Sequence, residues 1–209
     1  MTRARPIGAA LAAVTLLLAG CAGNTVTGTG RALNPGAGTP TVPGGFPSTS
    51  AAPGASSNAS TAPAGRGVLV TYPAGHFSVM MPTQATERSE PGSLGGASFT
   101  VYIAVSVSGG NTPTEVASED IDQPLDPADY AITLRTAVGE FGSASGATVD
   151  SQTPTQYRGY TARRAAVTTP DGRPFTLLVF MYSSTRLFIV FASAGAVYDL
   201  VTSTLRFLP

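Results

Sequence analysis

The chain has 209 residues, a formal net charge of +0, 11% charged residues, 24 Gly, 17 Pro, and a single Cys and a single His. One Cys excludes an intrachain disulfide, and one Cys with one His falls short of the four ligands of a structural zinc site. All 12 basic residues are Arg, which excludes Schiff-base chemistry, a phosphate-loop lysine and a Ser-x-x-Lys nucleophile, and the balanced charge argues against a nucleic-acid binder that neutralises phosphates.

Arg3 and Arg5 form a short positive start, followed by an uncharged and mostly apolar run from Ile7 to Ala19. That run is shorter than the roughly 20 residues of a membrane span, and it has the length of a signal-peptide core. It ends in Leu18-Ala19-Gly20-Cys21, which resembles a bacterial lipobox. A lone Cys after an apolar run also fits an ordinary leader or core position, but basic flank, apolar run, small residues and Cys all agree here. The resemblance implies that the Cys21 thiol receives a diacylglyceryl group and that the leader, residues 1–20, is cut between Gly20 and Cys21. Each buried methylene gains about 0.8 kcal/mol, and stable anchoring takes two chains, which a diacylglyceryl group supplies. Loss of Arg3 and Arg5 leaves ten Arg against 12 acids, a charge of −2, so the lipid alone must hold the protein at the outer face of the membrane.

Residues 21–66 read as the lipidated Cys and a disordered tether. From Ala22 to Gly65 the chain is mostly Gly, Pro, Ser, Thr, Ala and Asn, with Arg31 its one charge. Too little apolar surface is available there to offset the entropy of ordering. A flexible coil of this length spans ~35–40 Å r.m.s.. Gly28-Thr29-Gly30 and Gly36-Ala37-Gly38 resemble fragments of nucleotide loops, but neither follows a strand, so they count as tether composition.

Residues 67–209 are expected to form one folded domain. Val68 to Tyr72 and Phe77 to Met81 read as short strands split by Pro73-Ala74-Gly75, and Ser98 to Ser108 alternates apolar and smaller residues as a half-buried strand does. Asp126-Pro127 is a helix start, with Tyr130, Leu134, Val138 and Phe141 at helical spacing and Gly142 as the expected stop. Ala147 to Thr153, Tyr157 to Thr168, Pro174 to Tyr182 and Leu187 to Ala192 read as strands, the last three as an antiparallel meander about Thr169-Pro170-Asp171-Gly172 and Ser183-Ser184-Thr185-Arg186. Ala196 to Leu205 closes with helical spacing. The fold class expected is α+β, an antiparallel sheet flanked by two helices.

Several stretches resemble the Mog1/PsbP-like family, and within it the PsbP-like lipoproteins of mycobacteria and relatives. They are "GHFSVMMP", a helix opening at "DPADY", "YRGYTARRAAVTTPDGRPFTLLVFMYSSTRLFIVF" and the closing "VYDLVTSTLRFLP". The resemblance implies an α/β/α sandwich in a lipid-anchored protein of the actinobacterial cell envelope. It brings no catalytic residues to this chain.

Four groups of side chains are candidates for chemistry. His76, the one imidazole, reads as a strand-edge His bonded to backbone rather than a general base, since no Gly-x-Ser-x-Gly elbow accompanies it. Glu115, Glu119, Asp120, Asp122, Asp126 and Asp129 hold half of the acids. Their spacing lacks the EF-hand pattern, and they read as a solvated loop with a helix cap. Arg158, Arg163 and Arg164 share one expected strand, with Arg173 and Arg186 on its neighbours. They suit either recognition of an anion or, with more weight, cross-strand charge pairing. Tyr102, Tyr157 and Tyr160 admit either role.

The expectation is therefore a non-enzyme with no catalytic residues, metal or cofactor. It is a lipoprotein displaying a binding or scaffolding domain for envelope or host proteins, its partners being the membrane through the anchor and one such protein, with no nucleic acid. The alternative is a carrier of a lipid or other apolar ligand. A hydrolase built on His76 is the third reading.

Overall fold

The computed structural model describes residues 67–94 and 97–209; the expected leader, Leu18 to Cys21 and the expected tether up to residue 66 lie outside the described residues. In chain order the described elements are β1 Val68–Tyr72, β2 Phe77–Met81, β3 Ala85–Leu94, β4 Ala97–Ser108, β5 Thr112–Ile121, α1 Tyr130–Ser145, β6 Thr148–Tyr157, β7 Tyr160–Thr168, β8 Pro174–Ser183, β9 Arg186–Ser193, α2 Ala196–Thr204 and β10 Arg206–Phe207.

Seven strands make one antiparallel sheet in the order β3-β4-β5-β9-β8-β7-β6, and β1, β2 and β10 make a small second sheet with β2 in the middle. The chain lays down β3, β4 and β5 as one meander, crosses through α1 to the far edge, and returns as a second meander from β6 to β9. Strand β9 thereby closes against β5, with Ala117 opposite Ile189. Helix α1 packs on β6, β7 and β8, and α2 packs on β2 and β9. The class is α+β, with a largely antiparallel sheet and two helices. Among the described residues no helix is long and apolar enough to cross a membrane.

Alternation along the central strands divides the core in two. Leu177 and Val179 on β8 and Leu187, Ile189 and Phe191 on β9 face the same side as Leu134, Val138 and Phe141 of α1. Their neighbours Leu178, Phe180, Phe188 and Val190 face the other side, with Phe77 and Val79 of β2 and Val201 of α2. Strands β8 and β9 are thus apolar on both faces because both faces are covered, as their unbroken apolar runs suggested. Each such fully buried side chain contributes about 1.5–3 kcal/mol.

Local chemistry sets the boundaries. The Asp126 carboxylate accepts from the backbone N–H of Ala128 at 2.9 Å and opens one 3-10 turn, Pro127 to Asp129, before α1 proper begins. The helix does not stop at Gly142 but at Gly146, whose φ of 66° is the left-handed exit. Gly142 is a packing residue: a Cβ there would lie 2.7 Å from Val149 Cγ2 on β6. A second correction concerns Tyr157 to Thr168, read as one strand. Arg158 (φ 51°) and Gly159 (φ 87°) make a two-residue hairpin between β6 and β7, since two consecutive positive φ values match the strand twist. Strands β3, β5 and β10 were not anticipated from the sequence.

Candidate functional site

The residues singled out in the sequence are dispersed by the fold. His76 sits in the turn between β1 and β2 at φ 57°; its Nδ1 lies 3.1 Å from the Pro209 oxygen, and its own carbonyl accepts from the Leu208 N–H at 2.8 Å. It ties the turn to the segment after α2, in keeping with a His bonded to backbone. Ser118 donates to the Gly75 carbonyl of the same turn at 2.6 Å and so fastens it to β5.

The arginines likewise have structural partners. Arg158, on the hairpin rather than on a strand, donates to the carbonyls of Leu205 (2.6 Å), Ser203 (2.8 Å) and Thr202 (3.0 Å) at the end of α2, where the helix dipole favours a cation. Arg163 faces the α1 side with Gln152 at 3.3 Å, whereas Arg164 faces the other side, its guanidinium 5.0 Å from the centre of the Tyr198 ring. Arg186 pairs with Asp120 across the β9–β5 ladder, and Arg173 with Asp171 and with the carbonyls of Gly110 and Asn111. Tyr157 donates to the Thr202 carbonyl, and Tyr160 packs against Phe180 and Phe207.

The acidic stretch is where the structure departs most from expectation. Residues 112–121 are not a solvated loop but strand β5, buried along nearly its whole length between β4 and β9. Asp120 points to one face and Glu115, Ala117 and Glu119 to the face that bears α1. Glu115 is flanked by Val105 and Phe191 and Glu119 by Val101 and Leu187, so both carboxyls stand in apolar rows. Their residues are 2% and 0% exposed, and Oε1 of Glu115 and both oxygens of Glu119 lack a hydrogen-bond partner. A charged carboxylate in such a place loses hydration without compensation, so it holds its proton. Burial pushes Glu115 up to about 8, with Arg88 opposing and Glu90 reinforcing the rise. Burial also pushes Glu119 up to about 8, reinforced by the repulsion of Glu140 from α1. Four residues of strand separate the two acids, about 13 Å, which is too far for one ion to bridge. Among the described residues no group of three or more His, Cys, Asp or Glu is placed to hold a metal.

Around these acids the sheet carries a buried apolar shelf. Phe99, Val101 and Ile103 of β4 and Ala117 of β5, each 0–4% exposed, belong to the core cluster that includes α1, and Arg88 and Glu90 of β3 stand at its margin with Nε and Oε1 3.3 Å apart. Among the described elements, the helix on this face is α1. Its main contacts fall on β6, β7 and β8, and no described helix makes comparable contact with β3, β4 or β5 here. The available sequence signal for the shelf was the Gly109-Gly110-Asn111 turn after a clear strand, which marks a hairpin and hence a following strand. A separate open depression of about 380 Å³, lined in part by Ser108, Thr112, Arg173 and Phe175, lies at one end of the sheet.

Comparison with known protein families and with curated proteins finds no matching family model and no similar curated protein.

Proposed function

We propose that this chain is a lipoprotein of the cell envelope, anchored at the outer face of the membrane through Cys21, whose folded domain is a non-catalytic binding module of the PsbP-like kind. The α+β element order, with α1 on one face of the sheet and α2 on the other, supports that fold assignment. Of the two ligand classes expected from the sequence, the apolar ligand is the better supported, and one observation carries it: the large exposed apolar side chains among the described residues are scattered rather than clustered for a protein partner. The protein-partner reading calls for a cluster of exposed apolar groups. Among the described residues the large exposed ones are Val68, Leu69, Val107 and Ile132, spread over β1, β4 and α1. The module therefore takes an apolar ligand, and the tether gives it reach from the membrane that supplies it.

Native mass spectrometry of the protein recovered from membranes, after removal of the Cys21 acyl chains, tests this reading. The expected result is a co-purified apolar ligand, displaced by detergent. Protein that is uniformly ligand-free and that binds no neutral apolar dye overturns it.

A further inference from the structure

Among the described strands the two sheets have four outer edges, β3 and β6 on the large one and β1 and β10 on the small one. Three of them carry features that discourage pairing with another chain. Strand β3 holds Pro91 with Glu87, Arg88 and Glu90, β6 holds Pro154 and a break of register between Val149 and Ser151, and β10 is two residues long and includes Arg206. Strand β1, Val68-Leu69-Val70-Thr71-Tyr72, has no charge, no proline and no bulge. It also bears two of the four large exposed apolar side chains among the described residues, Val68 at 37% and Leu69 at 64%.

The pairing of β2 fixes what that edge offers. The Met80 N–H donates to Thr204 Oγ1 at 3.0 Å, and the His76 carbonyl accepts from the Leu208 N–H at 2.8 Å, so the even-numbered residues from His76 to Met80 aim their backbone groups toward β10. Leu69 stands opposite Met80 and Thr71 opposite Ser78; both are therefore non-hydrogen-bonded partners in the β1–β2 ladder and turn their N–H and C=O outward. No described strand takes these groups up. Leu69 and Thr71 are exposed, while Val70 and Tyr72 beside them are buried in the core.

We propose that β1 is a self-association edge, pairing antiparallel with β1 of a second copy of this chain about a two-fold axis at Val70. In that register Leu69 of each copy lies opposite Thr71 of the other, so every outward N–H of one copy meets an outward C=O of the other. The uncharged strand brings no like charges together, and the two Leu69 side chains meet diagonally on the shared face. Because β1 is the only unblocked edge among the described strands, pairing consumes it and the assembly closes as a dimer rather than growing. Main-chain hydrogen bonds carry the contact, so it needs no broad apolar patch. So short a strand buries less than the ~800 Å² per partner of a stable interface, and association is weak and concentration-dependent.

The test uses the chain from residue 21 onward with Cys21→Ala, which leaves no thiol to crosslink copies. Sedimentation from ~10 µM to ~1 mM is expected to show a reversible monomer–dimer equilibrium. Amide exchange over the same range is expected to show Leu69 and Thr71 gaining protection while Val70, bonded to β2, does not change. Leu69→Lys and Leu69→Glu, at an exposed position, are each expected to weaken dimerisation by about tenfold or more, and an equimolar mixture of the two to restore it, since the altered side chains meet across the axis. Val107→Lys, at an exposed apolar position on β4, is expected to leave dimerisation unchanged. A chain that stays monomeric at the highest concentration, a dimer that survives in folded Leu69→Lys protein, equal weakening by Val107→Lys, or a mixture that dimerises no better than either variant overturns the proposal. Leu69 and Thr71 amides already protected in the dilute monomer mean that another part of the same chain covers the edge, and overturn it as well.

Discussion

Glu115 and Glu119 cost this domain stability in a pH-dependent way. Unfolded, each carboxyl ionises near its ordinary 4.5; folded, each keeps its proton up to about 8. The folded state therefore holds more protons between these values, and stability falls as pH rises through that window. The groups facing these acids do not reverse the sign: Arg88 opposes the rise at Glu115, but Glu90 there and Glu140 at Glu119 reinforce it. Thermal melts are expected to give a midpoint at pH 5 above that at pH 9 by at least ~5 °C, and the Glu115→Gln, Glu119→Gln double variant to flatten that slope. A melt that is level across this range, or that rises with pH, contradicts the burial of the two acids. Arg158 is the opposite case, a charge that stabilises. It satisfies three carbonyls that a helix end leaves free, so Arg158→Ala is expected to lower unfolding free energy by about 1–2 kcal/mol in denaturant titration, and Lys, with no planar fork, to restore only part.

The glycines of α1 separate two roles at the scale of the element. At Gly139 a Cβ meets nothing within 4 Å, so Gly139→Ala removes backbone entropy from the unfolded chain and is expected to stabilise by about 0.5–1 kcal/mol. At Gly142 the same change drives a methyl against Val149 Cγ2 and levers the helix off β6, with an expected loss of about 1–3 kcal/mol. Equilibrium unfolding of the two variants distinguishes them; equal effects would mean that α1 does not rest on β6 through Gly142. The expected stop at Gly142 followed from composition, since Gly after a periodic run usually ends a helix. The chain continues because close packing, not a turn, is what that Gly permits.

For the whole molecule, the proposed anchor at Cys21 would decide where the domain works. Cys21→Ala is expected to release the protein into the medium or to leave an uncleaved precursor, read by fractionation and by the mass of the N-terminal peptide; undiminished attachment of a processed chain would refute the anchor. The same variant is expected to leave the melting curve of the domain unchanged, because Cys21 lies outside the expected folded domain, residues 67–209.

Periodicity and turn chemistry were enough to place β1, β2, β4, β8, β9 and both helices, since their side chains are sorted by a covered face and an open one or are apolar throughout. The α+β class followed from their order, and the resemblance of Leu18 to Cys21 to a lipobox is local and needs no fold to be read. Tertiary structure alone decided the rest. Strand β5 is polar in sequence, with Thr114, Glu115, Ser118 and Glu119 at buried positions, and only pairing with β4 and β9 makes it a central strand. Strand β3, with Pro91 and four charged or hydroxyl-bearing residues at its centre, exists because β4 offers it a ladder. The shelf, too, is a product of topology: the crossover through α1 sets the helix on the second meander and leaves the first without one. Long-range pairing chooses which residues lose water, and that choice, invisible in a local stretch of sequence, places two ordinary glutamates in the core, where they keep their protons.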